Sequence, residues 1–264
     1  MELGLKDKVA LVTGGSKGIG RAVALGLAAE GARVALVARE PGALDKAAAE
    51  CRDRSRRDAI AVAADLSQFD EVERVVREVK DRFGRIDVLV NNAGAIRGGN
   101  FLDIPDAQWS HDWNLKLLGY IRMSRAVFPL MQAQGGGRIC NVVGAAGRNP
   151  TPAYLTGGAA NAALINFTKG LADLGAPSQI LVTAVSPAAT ATERWDSLIA
   201  QQAASSGRTV EELKAEAAAP YKLGRIATSE DIADIVCFLV SARASFITGI
   251  CVTVDGGSTR GVYP

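Results

Sequence analysis

Short runs of consecutive apolar residues alternate along this chain with longer segments in which apolar residues recur at helical spacing. The run KVALVTG at residues 8–14 is rich in β-branched residues, and GRAVALGLAAEG at 20–31 then has the periodicity of a helix that ends in glycine. The same alternation predicts further strands at 33–39, 59–66, 86–94, 137–144 and 180–187, and helices at 41–57 and 69–84. Strands that are apolar throughout belong to parallel sheets covered on both faces. The pattern therefore predicts an α/β fold with a doubly wound parallel sheet in one Rossmann-like domain.

Residues 191–219 depart from this alternation, because they are polar and rich in alanine. Within them, Thr209 and Glu212 have the spacing of a capping box, which predicts that a short helix begins there. A helical insertion after the carboxyl end of a strand suits a lid over a ligand, and a plain surface excursion would have the same composition. We expect one domain over residues 1–264, with 191–219 as a substrate lid.

Composition narrows the functional class. Apolar residues make up 48% and charged residues 22% of the 264 residues, which is typical of a globular domain in water. The net charge of +2 favours neither a nucleic-acid nor a membrane partner. The four cysteines are far apart and form no CxxC motif, which predicts buried thiols in a reducing compartment and no metal site. With no signal-like or membrane-length apolar run, we expect a cytoplasmic protein.

The stretch TGGSKGIG at residues 13–20 lies where the first predicted strand passes into the first helix. Glycines there allow the backbone to approach a pyrophosphate, and the amino end of the helix attracts its negative charge. A glycine-rich turn alone is weak support, since any tight turn between a strand and a helix favours glycine. Its position after the first strand strengthens the prediction of a nucleotide site.

TGGSKGIG resembles the TGxxxGIG motif of the short-chain dehydrogenases/reductases. NNAG (91–94), WNLKLLGY (113–120) and FITGICVTVDGG (246–257) are similar to further motifs of that family, so the resemblance covers nearly the whole chain. It places Asn114 at the catalytic asparagine of the family. The resemblance implies an oxidoreductase that uses NAD(P)(H) to interconvert a ketone and an alcohol. It also implies a homo-oligomer, commonly a tetramer.

The resemblance also assigns the residues that would bind the cofactor. They are Gly14, Ser16, Lys17, Gly18, Ile19, Gly20, Asp65, Leu66, Asn92, Ala93, Gly94, Asn161, Pro187 and Thr192. Enzymes of this kind that use NAD place an acidic residue after the second strand, whereas this strand ends in Arg39. Arg39 and Lys17 together predict binding of a 2′-phosphate, and hence NADP(H) rather than NAD(H), although each could be a solvated surface charge.

The catalytic positions depart sharply from the family. The family has a serine after its fifth strand, a tyrosine thirteen residues later and a lysine four residues after that. An alignment without gaps places Gly144, Gly157 and Asn161 at these positions. A rival alignment that anchors Tyr154 as the tyrosine needs a three-residue insertion and puts Gly158 at the lysine. We adopt the ungapped alignment, in which the proton donor of the family is missing.

Loss of a general acid typically slows a reaction about 10²–10⁴-fold. If a helix begins at Thr151–Pro152, with Thr151 as its N-cap, Tyr154 lies on the same face as Gly157 and its phenol can lean into the vacated space. The two glycines also predict a wider pocket. Asn114 and Tyr154 are therefore the catalytic candidates.

Two interpretations remain open. In the first, the protein is an NADP(H)-dependent oxidoreductase acting on a small carbonyl or alcohol, with an altered proton-transfer group. In the second, it is a protein of the same fold that binds NADP(H) structurally or as a sensor, or that performs non-redox chemistry.

Overall fold

Nine strands occur in the computed structural model, within the part of the chain that it describes, residues 2–259 apart from the side chain of Arg194. They are β1 (Val9–Thr13), β2 (Arg33–Ala38), β3 (Ala59–Ala63), β4 (Val88–Asn91), β5 (Gly137–Val142), β6 (Ile180–Pro187), β7 (Thr190–Ala191), β8 (Ala227–Thr228) and β9 (Cys251–Val254). Seven of them form one parallel sheet in the order β3-β2-β1-β4-β5-β6-β9. The predicted doubly wound sheet is confirmed. Residue 1 and residues 260–264 of the predicted domain lie outside the described residues.

Helices cover both faces of this sheet. They are α1 (Gly18–Ala29), α2 (Pro41–Ser55), α3 (Phe69–Phe83), α4 (Asp106–Trp113), α5 (Gly119–Ala133), α6 (Leu155–Gly175), α7 (Glu193–Ser206), α8 (Val210–Ala218) and α9 (Ser229–Leu239). Alternate side chains of β1 point to opposite faces of the sheet and so pack in different helix layers. Val12 packs in the cluster with α1, α2 and α9, whereas Leu11 packs in the cluster with α3 and α5. Because both faces are covered, most residues of the strands are apolar, as their sequences predicted.

The strand order reverses between β1 and β4, which are hydrogen-bonded neighbours. In open α/β sheets, ligands bind outside the carboxyl ends of the strands at such a reversal. The glycine-rich stretch after β1 and the NNAG stretch that includes the end of β4 therefore meet at one edge of the sheet.

A π-helical turn, Asn114–Leu118, joins α4 to α5. The sequence pattern did not predict it, because a π turn differs from an α-helix by one residue and preserves the apolar spacing on both sides. Single π turns inside helices are frequent at functional sites.

The start of α6 differs from the prediction. A 3₁₀ turn, Pro152–Tyr154, precedes the helix, and the side chain of Thr151 makes no capping hydrogen bond. Proline is tolerated at the first position of this turn because its missing N–H would have had no partner there.

The segment 191–219 forms α7 and α8. The capping box is confirmed, with Glu212 N donating to Thr209 Oγ1 (3.2 Å) and Thr209 N donating to Glu212 Oε2 (2.9 Å). β7 and β8 pair in parallel, so the two ends of the segment that contains α7 and α8 lie side by side. Within residues 2–259, no helix combines the length and the apolar character needed to cross a membrane.

Candidate functional site

A cavity of about 630 Å³ opens at the carboxyl ends of β4, β5 and β6. The described residues that line it include Ile19, Asn92, Gly94, Lys116, Gly144, Tyr154, Asn161, Pro187, Thr192, Trp195, Leu198 and Tyr221. They come from the glycine-rich stretch, from the ends of β4, β5 and β6 and the loops that follow them, from the turn before α5, from the start of α6 and from residues 192–221. The volume is within the usual range for a small-molecule site.

The glycine turn, residues 13–20, forms one end of this cavity through Ile19. Gly14 and Gly18 have φ angles of 67° and 54°, in the left-handed region that favours glycine. A Cβ on Gly20 would overlap the carbonyl of Gly14. Glycine is therefore required at these positions for the turn to fold as it does.

Asn92 and Ala93 brace the glycine turn from the end of β4. The amide of Asn92 donates to the carbonyl oxygens of Thr13 (3.1 Å) and Gly14 (3.3 Å). The backbone N–H groups of Asn92 and Ala93 both donate to Thr13 Oγ1. Asn92 and Gly94 also line the cavity. The structure thus brings both predicted stretches together at the reversal of strand order.

The amino end of α1 can receive an anion. Its N-cap residue, Lys17, makes no side-chain capping hydrogen bond, and Ser16, Gly18 and Ile19 are partly accessible. Free N–H groups in the first turn and the positive end of the helix dipole attract phosphate. The glycine turn lies at this end of the helix and leaves its backbone open to a ligand. This arrangement fits the pyrophosphate of a dinucleotide.

Two cations lie near this turn. Arg39 follows β2, and Gly14 N and Gly15 N donate to Val37 O (2.7 and 3.1 Å), which joins the turn to that strand end. Arg39 and Lys17 are exposed, and within the described part of the chain neither forms a salt bridge. Both side chains are therefore available to an anionic ligand.

Asp65 and Leu66 follow β3 at the same edge of the sheet. Asp65 Oδ1 accepts a hydrogen bond from Ser67 N (3.1 Å), so the carboxylate shapes its own turn. Leu66 is 4% exposed and packs into the core. Any contact of Leu66 with a ligand would have to come from its backbone.

Asn114 does not line the cavity. Its amide donates to Ser67 O (3.0 Å), and its Oδ1 accepts from Arg122 Nη1 (2.8 Å). The side chain expected at the catalytic asparagine position thus fastens the start of α5 to the turn after β3. The structure separates Asn114 from Tyr154 and Asn161, which do line the cavity.

Lys116, two residues further on, lines the cavity instead. Its Nζ donates to Tyr120 Oη (2.9 Å) and to Val142 O (2.7 Å) at the end of β5. Burial lowers the pKa of this amine to about 7. Lys116 was not among the residues that the sequence motifs indicated. The available signal was a lysine in the otherwise apolar stretch LKLL.

Tyr154 occupies the space that Gly157 leaves open. A Cβ on Gly157 would overlap the ring of Tyr154 and lie 2.6 Å from its Oη. A side chain at position 157 is therefore incompatible with the observed position of Tyr154, and the two residues are coupled. The expected approach of the phenol to the vacated space agrees with this geometry, although the 3₁₀ turn rather than an α-helix provides it.

The space that Gly144 leaves open is filled by Asn161. A Cβ on Gly144 would lie 2.9 Å from Asn161 Nδ2. Asn161 is 4% exposed, and its Oδ1 has no hydrogen-bond partner among the described residues. The prediction that the glycines widen the pocket was wrong, because Tyr154 and Asn161 pack into the space. A buried amide oxygen without a partner is costly, so its position in the cavity wall suits a ligand that donates a hydrogen bond.

The 191–219 segment closes one side of the cavity. Thr192 Oγ1 accepts from Trp195 N (3.3 Å) and caps α7, while its methyl group packs against Gly18. Pro187 and Thr192 line the cavity together with the apolar side chains Trp195 and Leu198. This segment therefore connects the glycine turn with the side of the cavity that holds Tyr154.

No cluster of three or more His, Cys, Asp and Glu side chains suited to a metal ion occurs between residues 2 and 259.

Comparisons with known proteins agree on one family. The family model described as short chain dehydrogenase matches residues 8–203. The chain is 33% identical to the uncharacterized oxidoreductase YvrD of Bacillus subtilis, over 98% of this chain and 99% of that protein. It is 37% identical to a 3-oxoacyl-[acyl-carrier-protein] reductase of Synechocystis sp., over 96% of this chain and 97% of that protein. The crystal structure of L-sorbose reductase from Gluconobacter frateurii, complexed with NADPH and L-sorbose, superposes with a TM-score of 0.96. It is 32% identical and covers 99% of this chain and 100% of its own.

Proposed function

Because this chain belongs to the short-chain dehydrogenase family, we propose that it uses NADP(H) to interconvert a small-molecule ketone and its alcohol in the cavity. One observation carries the proposal. The cavity that begins at the glycine turn also holds a phenol, Tyr154, and a buried amide oxygen without a partner, Asn161 Oδ1. The complex of the similar L-sorbose reductase with NADPH and its substrate supports the same use of the site.

The glycine turn and the amino end of α1 would hold the pyrophosphate of the cofactor. Arg39 and Lys17 would pair with the 2′-phosphate, which favours NADP(H) over NAD(H), and Asp65 and Leu66 would flank the adenine. Bound NADPH supplies a hydride to the carbonyl carbon.

The other end of the cofactor would lie along the cavity wall. Asn161 would accept a hydrogen bond from a ribose hydroxyl through its unpartnered Oδ1, and Pro187 and Thr192 would contact the carboxamide. Asn92, Ala93 and Gly94 would line the path between the two ends. Asn161 carries no charge, so it cannot lower the pKa of a phenol as a lysine at this position would.

Tyr154 would donate a hydrogen bond to the substrate oxygen and stabilise the negative charge that develops there. Asn114 acts on the site as a positioning residue, since it ties α5 to the turn after β3 outside the cavity. The 191–219 segment would act as the lid, because its Trp195 and Leu198 line the cavity.

We also expect a cytoplasmic homo-oligomer, a tetramer by family resemblance. Exposed apolar side chains on α6 and near β9, among them Leu174, Phe246 and Ile250, suit contacts between subunits.

Thermal unfolding in the presence of NADPH, NADP⁺, NADH and NAD⁺, followed by a panel of carbonyl compounds, tests the proposal. A ligand at ~100 times its Kd stabilises the folded state by about 2.7 kcal/mol. We expect a shift with the phosphorylated pair and oxidation of NADPH with at least one carbonyl. A shift without NADPH oxidation would favour a structural or sensor role. No shift with any nucleotide would overturn the proposed cofactor site.

A further inference from the structure

Lys116 is a buried amine in the cavity, and the proposed function does not yet use it. It lies in the π-helical turn Asn114–Leu118, two residues beyond Asn114. The side chain of Asn114 bonds Ser67 O, whereas that of Lys116 bonds the end of β5 and lines the cavity. The helix therefore presents the lysine, and not the asparagine, to the reaction site.

The surroundings of Lys116 are shaped around its side chain. A Cβ on Gly94 would lie 2.5 Å from Lys116 Cδ, so glycine at position 94 leaves the space that the lysine occupies. Tyr120 Oη donates its proton to Val142 O (2.8 Å) and must therefore accept from Lys116. The amine in turn donates to Tyr120 Oη and Val142 O, which fixes two of the three positions on its nitrogen. The third position carries an N–H when the amine is charged and a lone pair when it is neutral.

The ionisable neighbours of Lys116 are few. Among the described residues that line the cavity, the other ionisable side chains are Tyr154 and Tyr221, and none is a carboxylate. Tyr120 lies on the same helix, and burial holds its pKa well above the usual range. Asp112, one turn earlier, is engaged by Arg97. With no counter-ion to offset burial, the amine exists in both protonation states near neutral pH.

We propose that Lys116 is the catalytic residue that donates the proton to the substrate oxygen, taking the role of the missing tyrosine at position 157. The proposal rests on the proposed function. As the carbonyl carbon receives a hydride from the reduced nicotinamide, which is oxidised to NADP⁺, the π electron pair of the C=O bond moves to oxygen. An O–H bond forms with the proton of Lys116, whose N–H bond breaks. The neutral amine regains a proton from water.

Tyr154 and Lys116 then have different parts. Tyr154 orients the substrate oxygen by a hydrogen bond and keeps its own proton, whereas the amine transfers one. The rate of carbonyl reduction should consequently fall as pH rises through the pKa of Lys116, because only the charged amine carries the proton. Removal of the Tyr154 hydroxyl should lower the rate and leave this pH dependence in place.

The first test measures the amine without turnover. Trace acetic anhydride acetylates neutral amines, and mass spectrometry of the Lys116 peptide across a pH series reports the pKa of that amine. The exposed Lys80 of the same protein is the internal reference. We expect half-maximal labelling of Lys116 near neutral pH, well below that of Lys80. Equal midpoints for the two amines would overturn the donor role and leave the proposed function standing.

The second test follows NADPH oxidation with a carbonyl substrate across the same pH series. We expect Lys116→Met to lose at least about 10²-fold in kcat/KM together with the pH-dependent fall. Lys116→Arg should keep the charge and move the decrease of kcat/KM to pH values above the measured range. Tyr154→Phe should keep the decrease of kcat/KM at the same pH as in the wild type. An unchanged fall in Lys116→Met would overturn the donor role alone. If no carbonyl oxidises NADPH, the proposed function fails and the donor role falls with it, whatever the pKa of the amine.

Discussion

Replacing Lys116 by methionine should make the protein more stable at neutral pH, by an amount that depends on pH. Burial lowers the pKa of this amine from 10.5 to about 7, so holding the charge in the folded state costs on the order of 4 kcal/mol. Methionine has a similar length and no charge. It removes two hydrogen bonds of about 1 kcal/mol each, but Val142 O still accepts from Tyr120 Oη. The expected net gain is about 2 kcal/mol in the free energy of unfolding at pH 7.

The pH dependence separates this effect from ordinary packing. Between the folded pKa near 7 and the unfolded pKa near 10.5, the unfolded chain binds more protons than the native protein, so the wild type gains stability as pH rises. The variant lacks this gain. The difference between the two proteins should therefore shrink by about 2 kcal/mol between pH 7 and pH 9, at up to ~1.4 kcal/mol per pH unit.

Urea unfolding followed by circular dichroism, at matched protein concentration and at several pH values in this range, measures the difference. The exposed Lys80, on α3, supplies the matched control. Lys80→Met should change the free energy of unfolding by no more than about 0.5 kcal/mol and equally at every pH. If the difference in free energy of unfolding between wild type and Lys116→Met does not vary with pH, the reasoning is refuted. The amine would then titrate alike in the folded and unfolded chains.

Three further predictions concern the site. Gly157→Ala should displace Tyr154, because the new Cβ would overlap its ring, and should lower the rate of carbonyl reduction at least tenfold. Tyr154→Phe should lower this rate to a similar extent. Gly170→Ala on the same helix, with no atom within 4 Å of the added Cβ, should instead stabilise the protein by roughly 0.5–1 kcal/mol in urea unfolding. Arg39→Asp should move the ratio of kcat/KM values from NADPH toward NADH. Asn114→Ala should cost about 1–2 kcal/mol of stability, and the pH profile of its NADPH oxidation should match that of the wild type.

Each of these predictions has a contrary outcome. Equal activity of Gly157→Ala and wild type would remove Tyr154 from the mechanism. An unchanged cofactor preference in Arg39→Asp would refute the 2′-phosphate argument. A loss of the pH-dependent fall in Asn114→Ala would return the asparagine to the reaction site.

The sequence by itself determined the fold and the nucleotide end of the site. Apolar periodicity is a local property of the sequence, and a sheet covered on both faces imposes it on every strand. The alternation of strands and helices could therefore be predicted along the chain. The glycine turn was equally readable, because left-handed backbone and close approach at Gly14, Gly18 and Gly20 select glycine directly.

Only the tertiary structure decided which side chains line the cavity. The family resemblance placed Asn114 at the catalytic asparagine position, but in the π turn Asn114–Leu118 it is Lys116 that reaches the cavity. The alignment with the family also suggested empty space at Gly144 and Gly157, which Asn161 and Tyr154 fill. The contacts of Lys116 with Val142 and of Gly144 with Asn161 join separate segments of the chain, and that of Tyr154 with Gly157 depends on how a 3₁₀ turn leads into α6. Residue periodicity encodes neither kind of geometry.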